Sequence, residues 1–327
     1  MPKNNNKILK MNIKIYLAEL RGYCAGVHRA IDILNKAIEQ FPTPIYVNHE
    51  IIHNKYIINY YEKKGIIFGE DLKNIPENSI MIMSAHGVGP EYIKKVKEKN
   101  IKYIDASCPL VVKVHNEAKK FLSEGYEIIY IGKKGHQEAE GVKEEDKNKI
   151  NIISNIEDLN NLSTEGFSSL ALLTQTTLSV NETKDLISKI TEKYPEIILP
   201  KAKDICYATT NRQEAVEKIC EKQLDLLIII GSKNSSNSTK LKEIGEKKGI
   251  KSILIDSSED IFNSPIIPFH KGDEHKKINI GISSGASVPE ILVKEVLDFF
   301  KNNYNTEIEI VKTIEENIIF PSNLELK

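Results

Sequence analysis

Strand-like and helix-like segments alternate along almost the whole of this chain, and that alternation restricts it to parallel sheets covered by helices. Ile13–Leu20 is apolar and β-prone, and Val27–Gln40 then places Val27, Ile31, Leu34 and Ile38 at helical spacing. Strands are predicted at Pro44–Val47, Ser79–Ser84, Tyr103–Ala106, Ile128–Ile131, Leu170–Thr174, Leu226–Ile230, Ser252–Ile255 and Ile278–Ile282. Helices are predicted at about 48–64, 109–124, 180–193, 211–223, 238–248 and 288–302. Ser179 with Glu182, and Thr210 with Gln213, match the capping box, and Pro109 suits a first helical position.

Three cysteines, Cys24, Cys108 and Cys206, each sit where a strand-like run gives way to a helix-like one. A polar cluster follows each at nearly the same distance: His53 29 residues after Cys24, His136 28 after Cys108, Ser235 29 after Cys206. One thiol per repeat suggests an α/β fold of three pseudo-threefold-related lobes with mostly parallel sheets around a central metal cluster. The expected lobes are 25–107, 108–205 and 206–302, with the strand in 13–24 joining the third. Residues 1–12 read as a disordered extension. Residues 303–327 read as a tail whose Ile318-Ile319-Phe320 docks back, and Glu259–Lys276 reads as a long surface loop.

A net charge of −1 gives no electrostatic case for nucleic acid or an acidic membrane. No apolar run reaches the ~18–20 residues that a membrane span needs. Four widely spaced cysteines argue against a disulfide scaffold and for a reducing compartment. The expectation is a cytoplasmic protein, or one from a plastid-type organelle if the N-terminus is a trimmed transit peptide.

A thiol before a helix has its thiolate stabilised, and three thiols from three lobes can hold zinc or an iron–sulfur cluster. Spacing alone does not choose between the two. Cys220, read as lying mid-helix among apolar neighbours, is expected to be a small hydrophobe. His28, His115, His270 and His275 are given no role. His49-Glu50-Ile51-Ile52-His53 matches the H-E-x-x-H zinc-peptidase string, but that reading leaves the cysteines and the other polar clusters unexplained. Those clusters are Ser84–Gly87, Gly135–Glu138, Thr174–Thr177, Ser232–Ser238 and Ser283–Ser287. They offer neutral donors and imidazoles suited to a phosphate or diphosphate, and no Walker A or G-x-G-x-x-G string is present. Glu138 is the carboxylate embedded in such a cluster, where desolvation would raise its pKa and let it deliver a proton.

Taken in order, Arg21-Gly22-Tyr23-Cys24-Ala25-Gly26, His49 to Asn54, Ser84-Ala85-His86-Gly87, Cys108-Pro109-Leu110-Val111, Gly135-His136, Thr174 to Ser179, Asp204 to Gln213 and Gly231 to Ser238 resemble the hydroxymethylbutenyl diphosphate reductase family (LytB/IspH). Gly281–Ala286 and Glu315 to Phe320 extend the likeness, which spans about residues 13–325. The H-E-x-x-H string belongs to the family pattern, which removes the peptidase reading. The resemblance implies reductive dehydroxylation of an allylic alcohol diphosphate to isopentenyl and dimethylallyl diphosphates, the last step of the non-mevalonate isoprenoid pathway. It implies one [4Fe–4S] cluster per chain on Cys24, Cys108 and Cys206, with the fourth iron open to the substrate hydroxyl. It also implies diphosphate binding by His53, His86, His136, Ser235, Ser236, Asn237 and Ser287, with Thr176 near the substrate hydroxyl and Glu138 as proton donor.

The expected partners are that small-molecule substrate and an electron donor of ferredoxin or flavodoxin type, with no nucleic acid or membrane, in a monomer or homodimer. Lys133 and Gln137 stand where family members often show His and Pro. A [4Fe–4S] hydro-lyase, which needs no external electrons, and a non-enzymatic iron–sulfur or diphosphate-binding sensor are the other readings.

Overall fold

Each of the longer apolar runs becomes a strand whose two faces are both covered, as a parallel sheet requires. The computed structural model describes residues 11–69, 71–163, 169–200, 204–262 and 277–327. Residues 1–10, most of the expected loop to Lys276, and His270 and His275 lie outside them. The chain divides into two units: residues 1–23 with 211–316, and residues 24–210 with 317–327.

The first unit holds a five-stranded parallel sheet in the order Ser252–Ile255, Leu226–Ile230, Lys277–Ser284, Asn12–Ala18, Asn305–Val311. Period-2 alternation sends Leu226, Ile228 and Ile230 to one face, where they pack with Leu292, Val293, Val296 and Phe300 of the helix Glu290–Asn303. Leu227 and Ile229 point to the other face, against Ala215, Val216 and Ile219 of the helix Tyr207–Ile219 and Leu241 of the helix Ser236–Lys247. At about 1.5–3 kcal/mol for each fully buried Leu, Ile or Val, this sandwich of helix, sheet and helix supplies most of the unit's cohesion.

The second unit holds two parallel sheets. One runs Ile66–Phe68, Ile45–Val47, Ile80–Met83, Lys102–Asp105, and the other Ile150–Ile153, Glu127–Ile131, Leu170–Thr174. Among the described residues the fold is therefore α/β with three parallel sheets, and an isolated bridge between Ile104 and Leu326 is antiparallel.

The structure corrects several local expectations. The helix predicted from residue 48 begins at Lys55, because His49 is left-handed (φ 58°) and Asn54 is the N-cap, accepting from Ile57 N at 3.1 Å. The H-E-x-x-H string is thus a loop, and its two histidines share no helix face. Thr210 caps nothing: the helix already starts at Tyr207, and the Thr210 hydroxyl donates back to Cys206 O. Cys220 follows that helix rather than lying within it. Ser179 does cap the helix Val180–Lys193, accepting from Glu182 N, and Pro109 opens the helix Pro109–Ser123. Glu259–Phe262, expected as loop, forms one helical turn.

Within the expected tail, Asn305–Val311 is a strand pairing with Asn12–Ala18. Ile318 and Ile319 are exposed, Ile319 at 89%, while Phe320 is half-buried. The last residues are held by polar groups of their own unit: Arg29 donates to Pro321 O, Lys36 to Ser322 O, and Lys327 and Tyr103 exchange backbone hydrogen bonds.

Candidate active site

In parallel sheets the polar residues that meet ligands lie beyond the carboxyl ends of the strands. Cys108 N-caps the helix after Lys102–Asp105, and Cys24 N-caps the helix Ala25–Gln40. Cys206 immediately precedes the helix Tyr207–Ile219. All three cysteines belong to the second unit. A methyl group placed on Gly26 would lie 2.6 Å from Cys108 Sγ and 3.9 Å from Cys24 Sγ, so these two thiols face one space. The Cys108 thiol also feels the charge of Cys24 and Cys206, and Cys206 feels that of Cys24.

Burial is the largest influence on the Cys108 and Cys206 thiols. It pushes Cys108 up to about 12 and Cys206 up to about 11, and the neighbouring thiols push the same way. Proximity to a helix start does not lower them as the sequence suggested: desolvation outweighs the backbone donors. Thr209 N and Oγ1 approach Cys206 Sγ at 3.3 and 3.1 Å.

The cysteine loops are tied to the other site loops. Cys108 N donates to Ala85 O, and Cys206 N to Thr176 O, each at 3.0 Å. Asp204, nearly buried, accepts from Thr174 N at 2.9 Å and from Lys113 Nζ at 3.1 Å. Asn48 Oδ1 accepts from Ser84 N at 2.7 Å, bracing the loop of His49–His53 against that of His86.

Three histidines from two sheets converge in the same unit. The His53 and His86 rings stack with centroids 4.0 Å apart, and His136 meets them edge-on at 5.7 and 6.2 Å. Burial first, and then the neighbouring imidazoles, hold His86 well below its ordinary value and bring His136 down to about 4. His86 and His136 are therefore neutral near pH 7 and ready to meet an anion, which would favour their protonation. His136 caps the helix Gln137–Lys143, accepting from Glu138 N at Nδ1.

Glu138 is 2% exposed. Its carboxylate accepts from Thr176 N at 2.7 Å and Thr176 Oγ1 at 2.9 Å. Burial outweighs those two bonds and raises it to about 7, and the Asp204 carboxylate adds to the rise. A buried carboxylic acid balanced between its two forms at neutral pH is suited to proton donation.

Ser235, Ser236, Asn237 and Ser287 lie in the first unit. Ser235 caps the helix Ser236–Lys247, accepting from Ser238 N. Asn237 Oδ1 accepts from Ala286 N at 2.9 Å, bringing that helix start to the Ser287 loop. Asn237 Nδ2 is buried with no partner among the described residues, a donor still to be satisfied at a helix N-terminus that favours anions.

Residues 15–301 match the family model described as LytB protein. The chain belongs to the LytB family. The 4-hydroxy-3-methylbut-2-enyl diphosphate reductase of Streptomyces coelicolor is 41% identical over 96% of this chain and 90% of its own length. The protein of the same name from Mannheimia succiniciproducens is 42% identical over 96% and 99%. Among solved structures, the E-1-hydroxy-2-methyl-but-2-enyl-4-diphosphate reductase of Plasmodium falciparum superposes with a TM-score of 0.84 and 36% identity, covering 93% of this chain and 94% of that one. A structure titled (E)-4-hydroxy-3-methyl-but-2-enyl diphosphate reductase, the terminal enzyme of the non-mevalonate pathway, gives a TM-score of 0.62 and 27% identity, covering 88% and 99%.

Sequence reasoning gave Glu50 only a peptidase role. In the structure its carboxylate lies 2.8 Å from His53 Nδ1, where it fixes the ring. The H-E-x-x-H string held that signal, read through the wrong secondary structure. Cys220 packs on the apolar cluster around Ala215 and Val216, and burial raises its thiol to about 11. Cys220→Ser is therefore expected to leave the iron content per chain unchanged after anaerobic reconstitution, and loss of iron would mean that the metal-binding thiols are wrongly chosen.

Proposed function

We propose that this chain reduces 4-hydroxy-3-methylbut-2-enyl diphosphate to isopentenyl and dimethylallyl diphosphates, closing the non-mevalonate route. The reaction breaks one allylic C–O bond, consumes two electrons and two protons, and releases water. One proton goes to the departing oxygen and the other to the allyl carbon.

The thiols of Cys24, Cys108 and Cys206 fit an iron–sulfur cluster. They are soft donors, and those of Cys24 and Cys108 face one space. The family resemblance makes that cluster a [4Fe–4S] one, one per chain, with its fourth iron open. When bound, such a cluster supplies a Lewis-acidic iron and a conduit for single electrons.

The chain's own groups do the rest. We assign diphosphate binding to His53, His86 and His136, and by the family resemblance to Ser235, Ser236, Asn237 and Ser287 as well. Thr176 lies against the substrate hydroxyl and holds Glu138 through two hydrogen bonds. Glu138 gives its proton to the oxygen, which makes water the leaving group. The observation that carries this reading is the buried Glu138, half-protonated near neutrality, whose charge the Cys206 thiol feels. A ferredoxin- or flavodoxin-type protein is the electron source we assign. Among the described residues, no helix is long and apolar enough to cross a membrane.

The deciding assay is anaerobic, with the reconstituted protein, the allylic diphosphate and a reduced low-potential donor. Formation of both isopentenyl products is expected. Turnover without reductant would favour a hydro-lyase, and binding without product would favour a sensor.

A further inference from the structure

The helix Pro109–Ser123, which starts at Cys108, carries a buried histidine that the proposed chemistry does not use. His115 is 7% exposed, and its Nδ1 lies 2.7 Å from Oε1 of the buried Glu145 side chain. Lys119 Nζ, one turn further along the helix, approaches the same carboxylate oxygen at 3.5 Å.

The opposite edge of the ring presses on two other elements. A methyl group on Gly87 would lie 3.3 Å from His115 Nε2 and 2.9 Å from Val111 Cγ1. One on Gly141 would lie 3.6 Å from His115 Cε1. Gly87 follows His86 directly and is left-handed (φ 78°), so both its backbone and its missing side chain suit this approach. Gly141 belongs to the helix Gln137–Lys143, which His136 caps and which carries Glu138. One imidazole thus stands between the loop that presents His86 and the helix that presents Glu138, beside a cavity of about 260 Å³ lined in part by Gly87, Val88 and Asn116.

Packing alone does not call for this pair. Burying an imidazole against a carboxylate is no better for stability than filling the space with hydrocarbon. What the pair adds is a ring whose rotation is fixed by the Nδ1 bond to Glu145.

We propose that His115 is a positioning residue. Held in one orientation by Glu145, it sets the separation between the His86 loop and the helix Gln137–Lys143, and through them the span of the imidazoles offered to the diphosphate. This inference rests on the proposed function, since it takes His86 and His136 as diphosphate ligands.

The test uses the full reconstituted chain. His115→Asn keeps an amide nitrogen near the Nδ1 position for Glu145 but deletes the ring atoms that touch Gly87 and Gly141. It is expected to raise KM for the allylic diphosphate, and Kd for inorganic diphosphate, about tenfold, with kcat changed less than about threefold. Iron per chain should match the wild type. In His115→Ala, added imidazole should enter the emptied space and bring KM back toward the wild-type value. Glu145→Gln empties no space and loosens the ring, and is expected to raise KM about threefold.

Variants that fold and load iron normally, with KM and kcat both within about twofold of wild type, would overturn the proposal. So would a loss of kcat at unchanged KM. Failure of the wild type itself to bind diphosphate or form product would instead sink the functional reading, leaving the two failures distinguishable.

Discussion

Glu138→Gln is expected to make the folded protein more stable and the enzyme nearly inactive. The unfolded carboxyl ionises near 4.5, whereas the folded one is raised to about 7, chiefly by burial. Between those values the native state holds the extra proton, so folding stability falls as pH rises from about 4.5 to about 7 and stays low above that. Glutamine carries no charge and escapes this cost. Its gain is absent below the unfolded value and complete above the folded one. The shift corresponds to about 3 kcal/mol, less what is lost in meeting the two Thr176 donors with a single carbonyl oxygen.

Thermal melts of the metal-free protein at acid and alkaline pH read this directly: Glu138→Gln should melt with the wild type near pH 4 and above it near pH 8. On the proposed mechanism the same substitution removes the proton that makes water the leaving group. General acids contribute about 10²–10⁴-fold, so kcat should fall into that range while substrate affinity and iron content hold. In the wild type, kcat should decline as pH rises through the value of Glu138 in the substrate complex. A Glu138→Gln enzyme with near-normal turnover would remove Glu138 as the proton donor.

How much of this was legible in the sequence depended on how local the determining physics was. Leu226–Ile230 and Leu170–Thr174 were found at their observed bounds because both faces of each strand are buried, and their apolar runs say so. Asn305–Val311 was missed as an edge strand, since its half-exposed alternation differs little from that of a polar tail. Ile66–Phe68 and Ile150–Ile153 were missed as well. The helix start at Lys55 was misplaced because nothing in the local pattern marks His49 as left-handed.

At the site, residue types at strand ends were legible, and their energetics were not. The sequence places three cysteines before helices and suggests lowered thiols, but only the packed structure shows that burial wins for Cys108 and Cys206. It also shows a non-local pairing that no spacing rule reaches, that of His115 with Glu145. Helix caps lie between these extremes. Ser179 could be read correctly, whereas Thr210 matched the same pattern inside a helix that Cys206 already precedes.

Gly26→Ala is expected to abolish cluster loading without unfolding the chain. Gly26 is the second residue of the helix Ala25–Gln40, just after Cys24. The methyl group of an alanine there would meet Cys108 Sγ at 2.6 Å, closer than non-bonded atoms tolerate, and Cys108 Cβ at a tight 3.3 Å. The atom in the way is the far end of a short side chain, so the metal-free protein relieves the clash by turning the Cys108 thiol to another rotamer. Backbone entropy works in the variant's favour, since alanine has fewer unfolded conformations to lose than glycine. The thermal midpoint of the metal-free variant should therefore equal or exceed that of the wild type.

The same rotation takes Cys108 out of the space it shares with Cys24, and a cluster that needs all three thiols loses one of them. Iron and sulfide per chain after anaerobic reconstitution, with the visible charge-transfer absorbance, should fall to the level of a Cys108→Ser control. If Gly26→Ala loads iron like the wild type, the Cys108 thiol is not needed in the space it shares with Cys24 beside Gly26, and the assignment of Cys108 as a ligand fails with it.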